Sequence, residues 1–177
     1  MMAPDRYNPY PNMLISPQLN AALNAQVGHE FAASLQYVEI AAFLAGEGWA
    51  KLAARFYQQS DEERDHALKL VKYVVEAGGA VAIPAIPAPQ ARFASVEEAV
   101  RLSLSWEQTV TLQFNQLMDL AIAEKDYLAQ GFLGWFVREQ LEEVSSMEGL
   151  LKLVRHAGDK NLVYVETLIG KGATEAE

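Results

Sequence analysis

The stretch Leu52-Ala-Ala-Arg-Phe56-Tyr-Gln-Gln59-Ser-Asp-Glu-Glu63-Arg-Asp-His66-Ala-Leu-Lys-Leu70-Val-Lys-Tyr73 repeats apolar residues in steps of three and four, the spacing of one face of an α-helix. Leu52, Phe56, Leu70 and Tyr73 suit a core seam. Gln59, Glu63 and His66 lie on the same seam and do not. A second stretch repeats the plan: Leu133, Phe136, Gln140, Glu143, Met147, Leu150 and Val154 share one face, with a polar pair in its middle. A buried carboxylate without a partner costs several kcal/mol. Two such layers in one chain call for positive charge between them, and a metal cluster supplies it.

The chain has 177 residues, enough for one domain with a full hydrophobic core. Hydrophobic residues make up 51% and charged residues 21%, as in ordinary globular proteins. A formal charge of −9 argues against a nucleic-acid partner, which needs a basic stripe. There is no cysteine, which removes disulfides, thiolate nucleophiles, thiolate-bound zinc and iron–sulfur clusters. A transition metal must then be held by carboxylates, amides or one of three histidines, His29, His66 and His156. No run resembles a signal peptide or a membrane span, so the cytoplasm is the expected location.

An all-α fold follows from the punctuation. Residues 1–16 read as an N-terminal arm, and Ser16-Pro17 opens a helix that runs to Ala45 with the seam Leu23, Glu30, Tyr37, Leu44. A second helix is expected from Trp49 to Ala77, stopped by Gly78-Gly79. Ala80 to Phe93, with Pro84, Pro87 and Pro89, reads as an extended crossover over the surface. Ser95 and Glu98 form a capping box for a helix from Val96 to Lys125, whose seam holds one charge, Glu107. Asp126 caps a fourth helix from Tyr127 to Ala157. A short fifth, Asn161 to Ile169, completes a domain over 17–170, with 171–177 a flexible tail. Two helix hairpins joined by one long crossover make a ferritin-like four-helix bundle.

Each hairpin supplies one lone carboxylate and then a pair spaced by three: Glu30 with Glu63 and His66, then Glu107 with Gln140 and Glu143. That is close to the ligand plan of diiron carboxylate bundles. Mostly oxygen donors with one imidazole suit iron or manganese, and two such ions would lie about 3.5–4 Å apart. With a single imidazole the two positions differ, and the one beside His66 should bind more tightly. Other motifs fall away: His29-Glu30 is followed by Ala33 and Ser34, not the second His of a zinc protease.

From about Ser16 to Ile169 the chain resembles a bacterial non-haem ferritin. The resemblance is carried by Glu30-Phe-Ala-Ala-Ser-Leu-Gln-Tyr37, Glu62-Glu63-Arg-Asp-His66 and Trp135-Phe-Val-Arg-Glu139-Gln140-Leu-Glu142-Glu143. It implies that Glu30, Glu63 and His66 hold a first iron, with Glu63 bridging to a second held by Glu107 and Glu143. Gln140 would lie close to where oxygen binds, and Tyr37 and Trp135 would be the aromatic residues beside the centre. Glu62, Glu139 and Glu142 would form a third, weaker iron site facing a cavity.

The resemblance further implies a ferroxidase that oxidises Fe(II) with dioxygen or peroxide and stores a ferric mineral inside a shell of 24 subunits. Haem-bearing relatives place a Met after the bridging Glu, where this chain has Arg64, and repeat Glu-x-x-His where it has Gln140 and Glu143. No haem is therefore expected. Two other readings share the bundle: a diiron oxidase or peroxide scavenger, and a silent shell subunit that stores mineral without oxidising iron.

Overall fold

The computed structural model describes residues 13–172. Its helices are α1 (Pro17–Gly46), α2 (Ala50–Glu76), α3 (Val96–Ala123), α4 (Tyr127–Ala157) and α5 (Leu162–Gly172), with a 3₁₀ turn at Asp159–Asn161 before the last. The expected residues start them. Ser16 Oγ accepts from Leu19 N–H, Ser95 Oγ from Glu98 N–H and an Asp126 carboxylate oxygen from Ala129 N–H. The Ser95 box closes one residue early, because Glu98 accepts from the Ala94 N–H.

The ends differ slightly from expectation. The third helix stops at Ala123 and not Lys125, because Lys125 takes a left-handed φ of 57° in the tight turn to α4. The fifth begins one residue late and continues to Gly172, into what was expected to be tail. The first twelve residues of the expected arm and the tail after 172 lie outside the described residues.

α1 with α2 and α3 with α4 form two hairpins, and α1 packs on α3. α5 folds back on α2 and α4. There Glu166 accepts from the Lys51 and Leu52 N–H groups, capping α2, whose own N-cap residue Trp49 makes no side-chain bond.

The crossover is fastened to α1 by three amide side chains, of which Asn20 donates to Ala80 O at 3.2 Å. Asn24 donates to Ala80 O (2.8 Å) and accepts from Ala82 N–H (2.6 Å). Gln36 donates to Gln90 O (3.0 Å) and accepts from Gln90 N–H (2.8 Å). Between them a Cβ at Gly28 would collide with Pro84, so glycine is what lets the crossover lie against the helix.

The core is divided. One apolar cluster gathers Tyr37, Ile40, Leu44, Phe56, Met147 and Val154; the other gathers Leu23, Val27, Leu70, Phe114, Leu133 and Phe136. The layer between them is polar. No helix among the described residues is long and apolar enough to cross a membrane.

Candidate metal centre

The polar layer is made by one stretch from each long helix. Glu30 comes from α1, Glu63 and His66 from α2, Glu107 from α3, and Gln140 and Glu143 from α4, all of them buried. Glu30, Glu63 and Glu107 are 0% exposed, so bulk solvent reaches none of them. The seven-residue seams deliver the side chains to one level because each helix enters the layer from a position fixed by its apolar neighbours.

Two groups of potential ligand atoms converge there. Glu30, Glu63 and His66 lie within 4.8 Å of one another, and so do Glu63, Glu107 and Glu143. Glu63 belongs to both. His66 Nδ1 is 3.4 Å from Glu63 Oε2 and 3.7 Å from Glu30 Oε2, too long for well-formed hydrogen bonds. Five buried atoms of the layer have no hydrogen-bond partner among the described residues: Glu30 Oε2, Glu63 Oε2, His66 Nδ1, Glu107 Oε2 and Gln140 Nε2. Such buried orphans are rare in folded proteins and cost about 1–3 kcal/mol each. Four of these five, the carboxylate oxygens and the imidazole nitrogen, are the donor atoms a divalent iron takes.

The opposite oxygens are held in place. Gln26 donates to Glu30 Oε1 (2.6 Å), Gln59 donates to Glu143 Oε2 (2.6 Å) and reaches Glu63 Oε1 (3.4 Å), and the Tyr37 hydroxyl donates to Glu107 Oε1. Thr111 donates to Gln140 Oε1 (3.0 Å), which turns the amide nitrogen of Gln140 away from it. Gln26 and Gln59 had no role in the sequence reading. Gln59 lies on the α2 seam, four residues before Glu63, and that polar core position was the available signal. Gln26 offered the same signal, three residues after Leu23 and four before Glu30 on the α1 seam.

Burial drives the carboxyls up: Glu107 to about 9, Glu63 to about 8 and Glu143 to about 7, with like-charged neighbours adding to each. For His66 burial pulls down, yet the flanking Glu30 and Glu63 carboxylates outweigh it and hold the ring up at about 10. Burial, then the charges of Glu107 and Glu63, keeps the Tyr37 phenol well above its ordinary value, so it remains a donor. Without metal the layer thus retains protons near neutral pH.

Between α2 and α4 a cleft of about 280 Å³ opens onto this layer, lined by Arg55, Gln59, Glu62, Glu139, Glu142 and Glu143. Glu62 and Glu139 are half-buried and Glu142 is exposed. A third convergent group, His66, Glu139 and Glu143, links the cleft to the centre. Glu62 and Glu142 join no such group among the described residues. Trp135 stands edge-on to His66 at 5.4 Å between ring centres, and its face is covered by Lys69.

The ferritin-like domain family matches residues 20–157. A ferritin of Mycolicibacterium smegmatis named BfrB is 36% identical over 162 residues, 92% of this chain and 89% of its own. A bacterial non-heme ferritin of Staphylococcus saprophyticus is 35% identical over 167 residues, 93% of this chain and 100% of that protein. The solved open pore ferritin from the hyperthermophilic archaeon Archaeoglobus fulgidus aligns with a TM-score of 0.86 at 28% identity, over 89% of this chain and 97% of that one.

Proposed function

The chain belongs to the ferritin family, and from that premise we propose that it is an iron-storage ferroxidase whose reaction centre is the polar layer of each subunit. The reading rests on one observation. Four buried carboxylate and imidazole atoms, brought from α1, α2 and α3, converge without a hydrogen-bond partner among the described residues.

Fe(II) is the substrate. One ion binds between Glu30, Glu63 and His66, a second between Glu63, Glu107 and Glu143, with Glu63 shared. Each ion gives up one electron; dioxygen takes both, with two protons, leaving two Fe(III) and hydrogen peroxide. A carboxylate-rich shell favours the harder Fe(III) and so pulls the oxidation forward. Tyr37 fixes the orientation of Glu107, and Gln59 that of Glu143. The free amide nitrogen of Gln140 offers a hydrogen bond to the oxidant. Glu62, Glu139 and Glu142 form a weaker third iron site, through which product passes by the α2/α4 cleft to a ferric mineral.

The mineral lies inside a shell of 24 subunits. Large apolar side chains left exposed at the two ends of the bundle support assembly: Leu14, Ile122, Tyr127 and Leu128 at one, Val163, Tyr164 and Leu168 at the other. No resident cofactor, haem included, takes part.

Stopped-flow absorbance after mixing metal-free protein with Fe(II) and oxygen tests the reading. Glu63→Ala and His66→Ala should each remove the fast phase while gel filtration still shows the assembled particle. An unchanged fast phase in both variants overturns the assignment.

A further inference from the structure

The centre has two approaches of opposite character. The α2/α4 cleft carries four glutamates. On the other side of the bundle, between α1, α3 and the crossover, lies a pocket of about 520 Å³ with no carboxylate in its lining. Its walls are Ala25, Ala32, Pro84, Leu102, Trp106 and Val110. It stands at the level of the centre, since its α1 residues bracket Glu30 and its α3 residues bracket Glu107.

Four polar side chains, Ser105, Thr109, His29 and Gln113, also line the pocket, and the last two touch Gln26. Gln26 Oε1 is 3.4 Å from His29 Nδ1, and Gln26 Nε2 is 3.3 Å from Gln113 Oε1. The same Nε2 donates to Glu30 Oε1 at 2.6 Å. One buried side chain, 2% exposed, therefore spans from the pocket lining to a carboxylate of the centre.

A hydrated Fe(II) ion entering this pocket would lose water and find no carboxylate to replace it. A small apolar molecule meets no such penalty, and apolar cavities take up gases such as xenon. We propose that the pocket is the entry port for dioxygen, with Gln26 the gate that swings aside, while ferrous ions use the acidic cleft. The separation keeps oxidant and ion from meeting before both are in the centre. The inference rests on the ferroxidase reading above.

Two measurements test it on the assembled protein. Under xenon pressure, crystals of the wild type should show a xenon peak against Ala32, Trp106 and Val110, and Thr109→Trp, which fills the mouth from an exposed position on α3, should abolish it. In stopped-flow, Thr109→Trp and Ala25→Phe should each raise the KM for dioxygen roughly five-fold or more, with anaerobic Fe(II) binding unchanged. An empty pocket under xenon, or an unchanged oxygen dependence in both variants, overturns the proposal. So does an equal loss when hydrogen peroxide replaces dioxygen, because peroxide has no preference for an apolar route. A wild type without any fast oxidation would refute the ferroxidase reading itself, a result distinct from these.

Discussion

Glu107→Gln should make the metal-free protein more stable. In the fold the Glu107 carboxyl is raised from 4.5 to about 9, chiefly by burial. Between those values the folded protein holds a proton that the unfolded chain releases, so stability falls as pH rises. The contribution is intact below 4.5 and is lost progressively up to about 9. At pH 7 the folded state keeps that proton about two and a half pH units above the point where the unfolded chain gives it up, which at ~1.4 kcal/mol per unit costs about 3–4 kcal/mol. Glutamine carries no such cost. Its carbonyl can still accept from Tyr37, and its NH2 faces the Glu63 and Glu143 carboxylates within the same convergent group.

For a chain of this size a gain of that order raises the Tm by roughly 6–12 °C. The assay is a thermal melt of chelator-treated wild type and variant at pH 7 and pH 5, with the particle intact at both. The gain should shrink to under about 1 kcal/mol at pH 5, close to the ordinary carboxyl value. A variant that melts at or below the wild type at pH 7 refutes the reasoning. So does a gain of equal size at both pH values, which would be a packing effect and not a titration.

The same raised carboxyls mean that metal must displace protons. Zn(II), a redox-inert probe, should release more than roughly one proton per ion at pH 6.5, read by calorimetry in two buffers of different ionisation enthalpy, with affinity falling as pH is lowered; no proton release would contradict the protonated layer. The purified protein should also show no Soret band after incubation with haemin and gel filtration. Arg64 is exposed and cannot ligate iron, while Met147 is locked in the core; a stoichiometric band would reverse that expectation.

The helices were legible because their ends carry local chemistry: Ser16-Pro17, Ser95 and Asp126 at the starts, glycines at the stops. The polar layer was legible for a related reason. Glu63, His66, Glu107 and Glu143 interrupt apolar seams, and a charge on a seam stands out by period alone. What escaped was amide chemistry. Asn24 and Gln36 are buried, yet in sequence they look like the outer face of α1. They are buried because the crossover covers that face, a tertiary fact with no period of its own. Lys125 escaped likewise, since its left-handed turn is imposed by the reversal into α4 and no glycine announces it. Glu62, Glu139 and Glu142, grouped by resemblance, line one cleft, with Glu142 at its exposed rim.

The central claim is that the layer holds two irons. Crystals soaked with Fe(II) without oxygen, with anomalous data collected on both sides of the iron edge, test it directly. Two peaks about 3.5–4 Å apart are expected, one bounded by Glu30, Glu63 and His66, the other by Glu63, Glu107 and Glu143. Iron bound only in the α2/α4 cleft, or a layer with no anomalous density at saturating Fe(II), would contradict it.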